Sequence, residues 1–176
     1  AAAPRLRLPT ELVTGALFAL AYLRYGPRPG TAVTIAFIAV LLVVLRIDWR
    51  HHLIFPQVIF TGLLVALACA VFLPLRAHDL LWAVVAAAAA AALFLFLYGL
   101  ALVLYRRRAL GFGDVLLAAM IGAMAGPGTA MALTLGMLLG AVGGLALVAL
   151  RVRTMRDFIP YGAYLCAGTI IALLVF

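Results

Sequence analysis

Apolar runs fill most of the chain, most of them long enough to cross a bilayer, and most of the short segments between them contain arginine. A transmembrane helix needs about 20 apolar residues, and runs that are apolar on all sides lack the alternation of a membrane β-barrel. The pattern predicts an all-α, polytopic transmembrane helix bundle that forms one domain over residues 1–176. Its roughly seven membrane segments are residues 10–25, 31–47, 54–75, 79–105, 114–126, 129–150 and 159–176.

Composition excludes several classes of function. Of the 176 residues, 69% are hydrophobic and only 10% are charged, which leaves too little polar surface for a water-soluble globule. The sequence contains no serine, so a serine nucleophile is impossible. Cys69 and Cys166 form no C-x-x-C pair and no histidine lies in a metalloprotease pattern, so we expect neither a metal nor a cofactor.

The arginines predict how the chain is oriented in the membrane. All 13 basic residues are arginines, and we attribute the net charge of +8 to topology rather than to nucleic-acid binding. With a cytoplasmic N-terminus and one crossing per segment, ten arginines lie on the cytoplasmic side and three on the outer side. Arginine-rich loops stay in the cytoplasm, so this orientation is the one we expect. The three outer arginines are Arg24, Arg28 and Arg76.

Two of the five acidic residues lie at the ends of predicted membrane segments. Asp48 closes the second segment, and Asp114 opens the fifth in the sequence Gly-Phe-Gly-Asp. The two crossings between them return the chain to the same face, so we expect both carboxyl groups at the cytoplasmic boundary. Two carboxyl groups at close range share one proton, so one can activate a water molecule while the other polarises a peptide carbonyl.

Purely structural explanations of these residues stay open at this point. Asp114 could cap the N-terminus of the fifth helix, and Asp48 could pair with Arg46 or Arg50 at the membrane interface. For the glycines before Asp114, we expect a sharp backbone turn and a close approach of an extended substrate, because glycine has no side chain.

The sequence around both aspartates resembles a known family. Residues 111–114 form a G-x-G-D motif, and residues 111–126 resemble the second catalytic motif of type IV prepilin peptidases. Residues 47–54 resemble the first catalytic motif of that family, and residues 159–164 resemble its late Ile-Pro-Phe-Gly-Pro segment. Residues 8–15 are similar to the stretch that follows the cysteine-rich insert of bifunctional bacterial members.

The resemblance implies a G-x-G-D-type aspartyl endopeptidase of the inner (cytoplasmic) membrane. Such an enzyme removes the basic leader of type IV prepilins or pseudopilins at the cytoplasmic face, just before their hydrophobic N-terminal helix. Its partners would be that helix and the lipid bilayer, with no nucleic acid. The resemblance assigns the catalytic role to Asp48 and Asp114. The residues expected to contact substrate are Gly111, Phe112, Gly113 and Glu11.

The chain departs from the family pattern at several positions. Leu116 stands where the family usually has lysine, and residues 54–57 read Ile-Phe-Pro-Gln instead of Ile-Pro followed by Asn or Asp. In the late segment, Tyr161 and Ala163 replace Phe and Pro. The first segment and the four-cysteine insert of bifunctional members have no counterpart here, so we expect only the peptidase part.

Two other functions remain as alternatives. A small transporter or membrane scaffold could use the aspartates to bind a cation or to stabilise an assembly. An archaeal-type preflagellin peptidase would use the same carboxyl pair on another substrate, although the segment around Glu11 favours the bacterial type.

Overall fold

The computed structural model of the protein describes residues 7–51, 55–72, 80–105, 111–150 and 161–175. These residues form seven α-helices, and no strand occurs among them. In chain order the helices are α1 (Arg7–Tyr25), α2 (Pro29–His51), α3 (Pro56–Phe72), α4 (Leu80–Tyr105), α5 (Phe112–Ala125), α6 (Thr129–Ala149) and α7 (Tyr161–Val175). A 3-10 turn over Gly126–Gly128 joins α5 to α6.

Local sequence explains several helix boundaries. Pro29 and Pro56 open α2 and α3, where the missing N–H of proline costs nothing because the first helical N–H groups have no partner within the helix. Gly26 has φ of 67° in the turn between α1 and α2, a conformation that residues with a side chain rarely adopt. The bundle therefore turns where the sequence supplies proline and glycine.

Several helices have the length and composition of membrane spans. Within the described part of the chain, three stretches are long and apolar enough to cross a membrane, and they are Pro29–Arg50, Leu80–Leu104 and Phe112–Leu147. The third stretch contains α5, the 3-10 turn and α6 together, while α3 and α7 are apolar but shorter. The predicted all-α membrane bundle is confirmed, whereas the count of seven membrane segments stays a prediction.

The outer surface of the bundle is apolar. Leu23 and Phe72 are each 80% exposed, and Val103 is 77% exposed. A soluble protein rarely exposes so many large apolar side chains together, but lipid tails cover such a surface without cost.

The two shortest of the α-helices described, α5 and α7, lie inside the bundle. Buried residues cover nearly all sides of both helices. Helix α5 packs most extensively against α4 and also contacts α3, α6 and α7, while α7 packs mainly against α6 and α2. The remaining helices therefore form a wall around this central pair.

Small residues bring the central helices close to their neighbours. A Cβ atom added to Gly122 of α5 would lie 2.5 Å from the carbonyl oxygen of Ala86 in α4. A Cβ atom added to Gly168 of α7 would lie 2.5 Å from the Cα of Gly136 in α6. Because lipid provides no hydrophobic force between helices, such close backbone packing is a main source of helix association.

Hydrogen bonds identify the two ends of the bundle. The guanidinium of Arg24 donates to the carbonyl of Val175 at 2.9 Å, so α1 and α7 end together. At the other end, the guanidinium of Arg46 donates to the hydroxyl of Thr10. This second end, which also holds Asp48 and Asp114, is called the aspartate end below.

The Gly168–Gly136 contact predicts a selective loss of stability. Gly168→Ala forces α6 and α7 apart, so the free energy of unfolding should fall by about 1–3 kcal/mol, the usual cost of overpacking. Gly99→Ala in α4 is the matched control, because a Cβ there meets no atom within 4 Å. Thermal unfolding of both variants in detergent checks this. Equal melting temperatures for both variants would show that the α6–α7 contact is not tight.

Candidate active site

Asp48 is a buried carboxylate in the last turn of α2. Its side chain is only 3% exposed. The main-chain N–H of Ala163, in the first turn of α7, donates to Oδ2 of Asp48 at 2.7 Å in a buried hydrogen bond. The first N–H groups of a helix lack partners within it and carry a partial positive charge, so the start of α7 stabilises a carboxylate at this position.

Asp114 is a buried carboxylate in the first turn of α5, with 5% of its surface exposed. The N-cap residue is Gly111 rather than Asp114, although the side chain of Asp114 takes part in capping the helix. Asp114 is instead the third helical residue, and its Oδ2 accepts a hydrogen bond from the N–H of Gly111 at 3.1 Å. The N–H of Asp114 donates in turn to the carbonyl of Gly111, which fixes the carboxyl group against the start of the helix.

The two carboxyl groups lie at the same end of the bundle. Their charges are close enough to interact with each other. Both charges also interact with the thiol of Cys166, which is fully buried in α7. The pair is therefore largely shielded from water, an environment in which two neighbouring carboxyl groups favour sharing one proton.

Aromatic side chains surround the pair on the α4 side. The rings of Phe94 and Tyr161 have centroids 6.3 Å apart, and the rings of Tyr98 and Phe112 are 6.2 Å apart in an edge-to-face arrangement. The hydroxyl of Tyr161 interacts electrostatically with Asp114. Phe112, the variable residue of the G-x-G-D motif, is 56% exposed and so is accessible for contact with another molecule.

The glycines of the motif have ordinary backbone conformations. Gly111 has φ of −81° and ψ of 146°, which any residue can adopt, and Gly113 lies in the first turn of α5. Neither glycine therefore adopts a conformation that only glycine can adopt. The expected close approach of substrate stays a prediction.

Glu11 lies at the same end of the bundle as the carboxyl pair, but on its surface. It belongs to α1, and its side chain is exposed. The neighbouring residue Thr10 accepts a hydrogen bond from Arg46, and Arg46 lies two residues before Asp48 in α2. Glu11 is therefore placed to meet a molecule that approaches the aspartate end from water, rather than to support the buried pair.

Sequence reasoning missed two features of the site. The N–H of Ala163 that binds Asp48 cannot be predicted from residue type, because nearly every residue carries such a group. Only the resemblance of residues 159–164 to a family segment drew attention to this region. Nothing in the sequence places Cys166 near the pair, because all its neighbours in sequence are apolar or small. Within the described ranges, no three or more His, Cys, Asp or Glu side chains are grouped as metal ligands.

Comparison with known proteins gives one match. A protein-family model described as the type IV leader peptidase family matches residues 35–149, which is more than half of the chain. The matched range includes both Asp48 and Asp114 and ends before α7. Searches of curated proteins and of solved structures find no match to the chain.

The backbone conformations predict different responses to alanine at the two glycines that flank α5. Gly111→Ala should change the free energy of unfolding by less than about 1 kcal/mol, because its φ is ordinary and a Cβ would lie 3.5 Å from Asp114. Gly126→Ala should cost about 1–3 kcal/mol, because φ of 52° with ψ of −122° is strained for residues with a side chain. Thermal unfolding of both variants checks the contrast, and a larger loss for Gly111→Ala would contradict it.

Proposed function

The chain belongs to the type IV leader peptidase family, and we propose that it is an aspartyl endopeptidase that removes the leader of type IV prepilins or pseudopilins. Family membership implies a protease with a prepilin-type substrate in a membrane context. Our proposal adds the catalytic type, the residues that carry it, and cleavage at the cytoplasmic face of the inner membrane.

One observation carries the proposal. Two buried carboxyl groups from helices distant in sequence lie at one end of the bundle, near enough for the charge of Asp48 to act on Asp114. Burying two carboxyl groups beside each other is costly, so such pairs in membrane segments usually serve a function. A transporter or scaffold needs buried charge as well, but the family match favours hydrolysis.

The two carboxyl groups and a water molecule are sufficient for the chemistry of peptide hydrolysis. The ionised carboxylate removes one proton from a water molecule, whose oxygen forms a bond to the scissile carbonyl carbon, while the protonated carboxyl gives its proton to the carbonyl oxygen. The tetrahedral intermediate then returns that proton, and its C–N bond breaks as the leaving nitrogen takes the proton held by the other carboxyl group. The products are a free leader acid and a free amine, and both carboxyl groups return to their starting states.

The arginine distribution supports the cytoplasmic face. Arg46 and Arg50 belong to the aspartate end of α2, and Arg24 belongs to the opposite end of the bundle. Most other arginines that the topology assigns to the cytoplasm lie outside the described residues. Counted along the sequence, the side with Asp48 and Asp114 holds ten of the 13 arginines, as the positive-inside rule requires of a cytoplasmic side.

Removal of either carboxyl charge should stop leader cleavage. Asp48→Asn and Asp114→Asn keep the side-chain shape and an oxygen for the hydrogen bonds from Ala163 and Gly111, so both variants should fold and insert. Each should lose cleavage by about 10²–10⁴-fold, because an amide neither accepts the proton of water nor donates one to the carbonyl. The measurement is loss of leader mass from a prepilin added to the purified, reconstituted protein.

A variant that loses a polar group at the opposite end of the bundle serves as the control for the two Asp→Asn variants. Tyr25→Phe removes the hydroxyl that donates to the carbonyl of Leu173 at 2.6 Å, at the end of the bundle opposite to the carboxyl pair. Its cleavage rate should stay within about twofold of that of the unmodified protein. Normal cleavage by either Asp→Asn variant would refute the aspartyl mechanism.

Glu11 should contribute to binding of a basic leader rather than to chemistry. Its exposed carboxylate at the aspartate end would attract positive charge, and exposed ion pairs contribute about 0.2–1 kcal/mol. Glu11→Gln should therefore raise KM by up to about fivefold with kcat unchanged, and high salt should remove the difference because it screens exposed charges. Steady-state cleavage at two salt concentrations checks this. A KM equal to that of the unmodified protein at low salt would remove Glu11 from the binding site.

A further inference from the structure

The first turn of α7 contacts one member of the carboxyl pair through a main-chain hydrogen bond. The N–H of Ala163 donates to Asp48, and this hydrogen bond is buried and short at 2.7 Å. Proline has no N–H, so only a residue other than proline at position 163 can make this bond. Because Asp48 lies near the C-terminal end of α2, the bond also fixes the end of α2 to the start of α7.

Tyr161, the first residue of α7, lies two residues before Ala163, and its ring packs between α4 and α6. This places its hydroxyl within the range over which the charge of Asp114 acts. The ring contacts Phe94 of α4, and a Cβ on Gly140 of α6 would lie 3.1 Å from its Cε2 atom. Contacts from α4 and α6 therefore hold the ring, so the position of the hydroxyl is set by packing.

We propose that the first turn of α7 is the positioning element of the carboxyl pair. The N–H of Ala163 orients Asp48, and in the substrate complex the hydroxyl of Tyr161 donates a hydrogen bond to Asp114 and selects the rotamer that meets water and the scissile carbonyl. Hydrogen bonds of this kind often tighten only when substrate is bound. This inference rests on the proposed function and adds two residues to its site.

Both groups come from residues that depart from the family pattern. In the late Ile-Pro-Phe-Gly-Pro segment that residues 159–164 resemble, the corresponding residues are Phe and Pro, which offer neither the hydroxyl nor the N–H. Tyr161→Phe removes one oxygen atom and keeps the packed ring. Ala163→Pro removes one N–H in the first turn of a helix, where proline is tolerated.

The test measures kcat and KM separately on the full chain in lipid vesicles. The substrate is a synthetic peptide with a basic leader followed by an apolar helix. Tyr161→Phe and Ala163→Pro should each lower kcat by about tenfold or more, the effect expected for one hydrogen bond to a charged group, with KM within about twofold. A merely structural role would lower the amount of folded protein and would not produce this split.

Two control variants separate positioning from general damage. Tyr25→Phe removes a tyrosine hydroxyl at the end of the bundle opposite to the carboxyl pair, and Leu81→Pro places proline in the first turn of α4 at that same end. Both should keep kcat within about twofold.

Unchanged kcat in Tyr161→Phe and Ala163→Pro would overturn the inference, as would equal losses of kcat in the two control variants. Both of these outcomes leave the proposed function intact, provided that the unmodified protein cleaves the peptide and Asp48→Asn does not. An unmodified protein that cleaves nothing overturns both.

Discussion

The burial of two carboxyl groups beside each other is the constraint on which this structure depends. An unpaired charge in a low-dielectric interior costs several kcal/mol, so each group needs a donor that is already in place. Asp48 receives the N–H of Ala163, and Asp114 receives the N–H of Gly111. Both donors belong to helix starts, where unpaired N–H groups and the positive end of the helix dipole coincide. The site is thus held by the starts of two helices.

The lengths of these two helices explain where the site lies. At 14 and 15 residues, α5 and α7 are about 21 and 22 Å long, shorter than the roughly 30 Å hydrocarbon core of a bilayer. The outer helices are longer, with 23 residues in α2 and 26 in α4. Close glycine contacts at Gly122 and Gly168 fix the height of the short helices against α4 and α6. The first turns of α5 and α7 can therefore lie below the surface of the bundle and still be close to its aspartate end.

Sequence reasoning predicted what depends on length and order, and it missed what depends on packing. Apolar run lengths indicated the helices, and an even number of crossings indicated one face for Asp48 and Asp114. The sequence could not show whether α5 begins at Gly111 or at Asp114, because both residue types are favoured at the N-cap of a helix. The donor of Ala163 is a main-chain group that every residue except proline carries, and only the packing of α7 against α2 aims it at Asp48.

A site at the end of a bundle also limits which peptide bond it can cleave. Inside a membrane helix each carbonyl is hydrogen-bonded within the helix, so a bond there is costly to expose. Just before the first turn of a substrate helix the chain is extended, and its carbonyl can meet a carboxyl pair without unwinding. The exposed Phe112 and the surface carboxylate of Glu11 lie at this end, where such an extended segment would pass. The position of the pair therefore favours cleavage at the boundary between a polar leader and an apolar helix, the bond proposed for this enzyme.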